Sequence, residues 1–100
     1  MEKLKLGKIK SVKFGFNDYM FGLTLDLGGE HWGVGTSYAY NPSYIGEEGT
    51  TQYLIEMTEK VQGLLKDANV DTVDKLLNKP VEATFEGNIL KDFRILTEVL

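Results

Sequence analysis

Between Phe21 and Leu27 every second residue is large and apolar, with Gly22, Thr24 and Asp26 in the gaps. A period of two fits a strand with one buried face, so the chain has to build a sheet around this segment. Residues 4–16 carry the same signal, Val12, Phe14 and Phe16 alternating with Ser11, Lys13 and Gly15. Asn17-Asp18 and Gly28-Gly29 are the turns on either side of the central run; two glycines suit a tight primed hairpin because both can take positive φ. A two-residue loop at 28–29 pairs Leu25 with Trp32 and Leu23 with Val34. One at 17–18 pairs Phe14 with Phe21 and Val12 with Leu23. Both registers set apolar residues opposite apolar ones, which predicts a three-stranded meander with one common apolar face. The opposite face collects Ser11, Gly22, Gly33, Gly35, Ser37 and Ala39, a surface that a partner or flat ligand can approach closely.

Beyond the meander, Tyr53, Leu54, Met57, Val61, Leu64, Leu65 and Ala68 recur at steps of one, three and four, the stripe of an amphipathic helix over 51–67. Thr50 or Thr51 is the expected N-cap, with Glu47 and Glu48 near the positive end of the helix dipole. A second, shorter helix is predicted from Asp71, with a capping-box-like Asp74, to about Asn78 before Pro80. Two strands follow around Glu86-Gly87-Asn88. A three-residue loop at 87–89 pairs Ala83 with Phe93 and Val81 with Ile95, keeping core opposite core. The expectation is a single α+β domain over 1–100, an antiparallel five-stranded sheet in the order β-β-β-α-α-β-β with two helices on its apolar face.

Composition narrows the chemistry. The chain is 42% hydrophobic and 26% charged, which describes a folded domain and excludes disorder as its main state. It has no cysteine and one histidine, so disulfide scaffolds, zinc and iron–sulfur centres and thiol nucleophiles drop out together. No apolar run approaches a membrane span and the start lacks a signal-peptide core, so a cytoplasmic location is expected. A net charge of −4 disfavours DNA or RNA polymers, although Lys3, Lys5, Lys8, Lys10 and Lys13 give the first strand a basic flank.

Few residues can carry catalysis. His31 is the one side chain suited to acid–base work near neutrality, and its expected cross-strand partner, Asp26, makes a structural pair the simpler reading. No nucleophile elbow and no paired carboxylates are present, so no enzyme is expected and no cofactor is implied. The glycines at 28–29 and 33–35 lie within or between strands, where a phosphate loop would lead into a helix. Arg94 is the only arginine among 11 basic residues. Its planar fork suits a phosphate, and the expected register equally places Glu82 across from it as an ion-pair partner. Tyr38 to Tyr53 forms a Tyr-rich connection around Asn41-Pro42-Ser43, long enough to act as a flap.

Three stretches taken together, Gly7 to Gly15, Leu27 to Gly35, and Pro80 to Asn88 continuing through Phe93-Arg94-Ile95-Leu96-Thr97-Glu98-Val99-Leu100, resemble a family of small phage-encoded proteins, the first-type Thoeris anti-defence proteins. The resemblance covers about half the chain. It departs at the first turn, where relatives carry a longer Gly-rich segment, and in the connection 38–53. It implies a sponge for an immune signal: a homodimer or higher homo-oligomer that binds a cyclic ADP-ribose isomer, and in some members a cyclic oligonucleotide, without cleaving it. Carried over residue by residue, it points to Phe93, Arg94 and Asn88 in the terminal hairpin, Trp32 in the Gly-rich strand, and Phe16 with Asn17 at the first turn. Such a ligand needs an aromatic for adenine, a fork or backbone amides for the diphosphate, and amide or hydroxyl groups for ribose. Phe93 or Phe16, Arg94, and Asn88 with Thr84 supply those groups. The competing expectation is a small acidic phage inhibitor that binds a host defence protein directly through the Tyr-rich flap and Glu-rich helix.

Overall fold

The alternating segments become strands that bend around a small core. In the computed structural model, which describes residues 1–100, β1 (Glu2–Asn17), β2 (Met20–Gly29), β3 (Trp32–Tyr40), β4 (Pro80–Glu86) and β5 (Ile89–Ile95) form one antiparallel sheet in the order β3-β2-β1-β4-β5. The helix α1 (Thr50–Ala68) packs on the apolar face. No helix is long and apolar enough to cross a membrane.

β1 is the axis of the fold because it changes partners along its length. Residues 2–8 pair with β4 and residues 8–17 pair with β2. A bulge between Ile9 and Ser11 absorbs Lys10 and resets the alternation. Ile9 therefore faces the core with Val81 and Ala83, while Val12 and Phe14 share a face with Leu25 and Leu23. Ile9, Leu23, Leu25, Leu27, Val81, Ala83, Phe85, Phe93 and Ile95 line the sheet side of the core, and Leu64, Ala68 and Leu76 cover it.

Trp32 locks the place where β1 turns from one partner to the other. Its indole lies over Gly7 and Gly29, meets Phe85 edge-on at 5.5 Å between centroids, and donates from Nε1 to the Leu6 carbonyl at 3.2 Å. A Cβ on Gly29 would run into the indole nitrogen and the Leu6 carbonyl; one on Gly7 would meet Gly28 O and come within 2.6 Å of the indole ring. Both glycines are required by contact with this ring.

That requirement corrects the second hairpin turn, and the first is displaced as well. Gly28 and Gly29 belong to β2, and the turn falls at Glu30-His31, with His31 taking φ 66°. Leu25 opposes Thr36 and Leu23 opposes Tyr38, so the expected pairings with Trp32 and Val34 do not form, and Asp26 faces Gly35 in place of His31. The first turn likewise falls at Asp18-Tyr19, giving Phe14 opposite Leu23. Both slips are even in residue number, so the side chains from Ser11 onward stay on their expected faces.

Elsewhere Ala83 pairs with Phe93 and Val81 with Ile95 as expected, but the loop is Gly87-Asn88 and the additional residue is taken up by a bulge near Thr84. The helix begins after Gly49, with no side-chain cap from Thr50 or Thr51, and Tyr53 is exposed. The second helix does not form. Residues Val73–Leu76 make one 3-10 turn, with the Thr72 side chain capping nothing, because Asn78 takes φ 69° and the backbone of 78–79 bonds to Ile9 on both sides. Eight residues that must bury Leu76 and then rejoin the sheet leave no room for a second helical turn.

The glycine contacts give a stability contrast. Gly7→Ala should cost about 1–3 kcal/mol through overpacking against the indole. Gly33→Ala, whose Cβ would meet nothing nearer than Leu27 O at 3.7 Å, should change stability by less than about 1 kcal/mol. Urea unfolding of the two variants measures the difference.

Candidate functional site

The face of the sheet turned away from α1 is built from the short side chains between the core residues. Across β1, β2 and β3 the rows are Ser11, Asp26 and Gly35, then Lys13, Thr24 and Ser37, then Gly15, Gly22 and Ala39. Gly22 is dictated by strand approach, since a Cβ there would run into Tyr38 O and lie 2.6 Å from the Ala39 Cα. Gly15 holds φ 151°, which a side chain rarely adopts.

These glycines floor a concavity of about 490 Å³, walled by Ser11, Lys13, Asn17, Thr24 and Asp26; Phe14 and Phe16 of the edge strand also border it, their rings lying on the apolar face with Phe21 and Leu23. Ser11 donates to Asp26 Oδ2 at 2.6 Å. Lys13 supplies a cation, Asn17 an amide, and Thr24 a hydroxyl, so the cavity has a donor for an anion and groups for sugar hydroxyls. Phe16 is 71% exposed and touches Phe21 edge-on at 5.1 Å, leaving most of its ring free for stacking.

Of the residues singled out from the sequence, only Phe16 and Asn17 meet here. Trp32 is part of the core wall described above. Phe93 is 8% exposed and lies against Tyr38, whose hydroxyl pKa is raised by burial and then by Asp92. Thr84 is half-buried on β4, and Asn88 sits exposed in the terminal turn. Ser11, Lys13, Thr24 and Asp26 were not singled out as ligand groups, although the alternation had already placed them together on one face.

Arg94 is committed to carboxylates. Its Nε donates to Glu82 Oε1 at 3.1 Å, and Nη1 and Nη2 donate to the two oxygens of Glu98 at 3.0 and 2.9 Å. Glu82 was expected from the register; Glu98, four residues on in the short turn Thr97–Val99, was not. The bidentate bond from Arg94 pulls the Glu98 carboxyl from 4.5 to about 2, and the carboxylates raise the arginine in turn. His31 is exposed, its Nε2 3.5 Å from the Glu30 carboxylate. No group of three or more His, Cys, Asp or Glu side chains gathers as a metal site.

Comparison with protein-family models, curated proteins and solved structures finds no match.

The Arg94–Glu98 pair gives a pH prediction. Because the folded carboxyl is depressed, its contribution to holding the C-terminal turn is complete above its ordinary value and is lost as pH falls toward about 2. A carboxyl carbon titration by NMR should place Glu98 near 2 in the native protein and return it toward the ordinary range in Arg94→Ala. A Glu98 titrating with the other glutamates in the native protein would remove the pair.

Proposed function

We propose that the protein is a sequestering protein that binds a cyclic ADP-ribose isomer and holds it intact, as a phage anti-defence protein would, at a boundary between two copies of the chain. The observation that carries this reading is the composition of the concavity over the β1–β2 hairpin. A lysine, an amide, hydroxyls and a glycine floor are grouped in a space of nucleotide size, with an exposed aromatic, Phe16, bordering it on the edge strand. Lys13 faces the diphosphate, Asn17 with Thr24 meets ribose, and Phe16 stacks on adenine only where the base reaches round the edge of β1. The subunit boundary is supported by the distribution of the remaining candidates. Thr84, Asn88 and Arg94 lie on the β4–β5 hairpin, away from Phe16 and Asn17 within one chain.

In this reading Arg94 joins the ligand by exchanging Glu98 for a phosphate, which gives a test with opposite signs. Glu98→Gln weakens the hold on two of the three guanidinium nitrogens and should tighten binding, whereas Arg94→Lys loses the fork and should weaken it more than tenfold, about 1.4 kcal/mol or more. Calorimetric titration with a panel of cyclic ADP-ribose isomers and cyclic dinucleotides measures both. Ligand at 100 times its dissociation constant should stabilise the native protein by about 2.7 kcal/mol and be recovered uncleaved after denaturation. A linearised product would overturn sequestration, and equal affinities in wild type, Arg94→Lys and Glu98→Gln would remove Arg94 from the site.

A second reading has its own observation. Tyr44, Ile45 and Tyr53, at the connection before α1 and on its first turn, are each more than half exposed, an apolar group suited to direct contact with a host protein. An inhibitor of that kind would show no thermal shift with any cyclic nucleotide.

A further inference from the structure

We propose that the second half of β1 is the dimer edge, pairing antiparallel with the same segment of a second copy across a two-fold axis at Phe14. This deepens the reading above by naming the subunit boundary on which that reading rests.

β1 is paired on its β4 side only as far as Ile9, where the backbone of 78–79 completes the bonding. From Ser11 to Asn17 that side has no strand beside it. A two-residue hairpin closes with a pair that exchanges both backbone bonds, and pairs alternate from there. With Asn17 opposite Met20 as the closing pair, Asn17, Gly15 and Lys13 bond to β2, while Phe16, Phe14 and Val12 turn their N–H and C=O groups to the free edge.

The other free edges are less suited to pairing. On the β2 side of Glu2–Gly7, which β2 does not reach, the Trp32 indole donates to the Leu6 carbonyl at 3.2 Å and occupies the edge, although Leu4 and Leu6 are exposed there. On β5 the Asp92 carboxylate accepts from the Phe93 N–H at 2.8 Å, occupying the edge with a side chain, and a bulge interrupts the strand. β3 exposes no large apolar side chain. The β1 segment exposes two, Phe14 at 48% and Phe16 at 71%.

The sequence of this edge is self-complementary in one register. With Phe14 opposite its own copy, Val12 faces Phe16, Ser11 faces Asn17, and Lys13 faces Gly15. Apolar residues meet on one face, and no lysine opposes a lysine. Sliding the pairing two residues one way sets Lys13 against Lys13 and drives the partner strand into residues 78–79. The opposite slide shortens the overlap and brings Val12 against Asp18 in the turn. The Phe14 register uses the whole free edge and sets the two concavities side by side on one continuous sheet.

The absence of cysteine makes the register directly readable. Directly paired Cα atoms lie about 5.5 Å apart, within disulfide range, while residues offset by two exceed about 7 Å. Phe14→Cys should therefore oxidise to a covalent dimer, and its neighbour Lys13→Cys should not. Val12→Cys and Phe16→Cys should each stay uncrosslinked alone and give a heterodimer when mixed. Light scattering on the unsubstituted chain should give a dimer at tens of micromolar, and Phe14→Pro, which removes one outward N–H and no β1–β2 bond, should give a monomer with unchanged circular dichroism. A monomeric wild type, or crosslinking at residue 13 equal to that at 14, overturns the proposal. All of these are read without ligand, so a dimer that binds no cyclic nucleotide would count against sequestration alone.

Discussion

The indole of Trp32, laid across two glycines, is the contact on which the rest of the sheet depends. It reaches from the start of β3 over Gly29 on β2 and Gly7 on β1 to Phe85 on β4, joining four of the five strands on the core side. Its N–H satisfies the Leu6 carbonyl as it does so. With that ring in place β1 can exchange β4 for β2, and the bulge at Lys10 rephases the side chains so that both halves face a single core. Without the bulge, Val12, Phe14 and Phe16 would share a face with Leu4 and Leu6 and lose contact with Leu23 and Leu25.

Two ends of unequal character follow. Near Trp32 the sheet is closed by Leu64, Ala68 and Leu76, and the side chains are fully packed. At the β1–β2 turn the aromatic group of Phe14, Phe16, Phe21 and Tyr40 packs edge to face along the sheet, outside the main core cluster. The concavity, the free backbone edge and the exposed aromatics all occur at this open end. Ligand binding and self-association would draw on the same residues, which makes the two properties inseparable by composition and separable only by register.

Much of this was legible in the sequence. The period of two gave five strands and the faces of the meander from Ser11 onward, though not of Ile9, which the bulge at Lys10 turns into the core, and the step of three and four gave α1. Registers were not legible, for a specific reason: a Gly-Gly pair serves a tight turn and a close ring contact equally well, and only the position of Trp32 decides between them. His31 took the positive φ that the glycines were expected to take. At residues 71–78 local capping signals competed with a non-local bond to Ile9, and the non-local bond prevailed. For the site, parity already placed Trp32 and Phe93 toward the core, and the resemblance pulled them outward. The register named Glu82 as a partner of Arg94 and did not name Glu98. That Glu98 takes two of the three donor positions depends on a 3-10 turn that no periodicity announces.

The central claim is that β1 from Ser11 to Asn17 has one edge satisfied by β2 and one edge that is satisfied only by a second copy. Residue-resolved amide hydrogen exchange at two protein concentrations addresses it most directly. Exchange at Leu23 and Leu25 should be slow at both. The amides of Val12, Phe14 and Phe16 should be protected at high concentration and exchange freely on dilution, while those of Lys13 and Gly15, bonded to β2, should not change. Free exchange at Val12, Phe14 and Phe16 at both concentrations, or protection that is independent of dilution to a demonstrated monomer, would contradict the account.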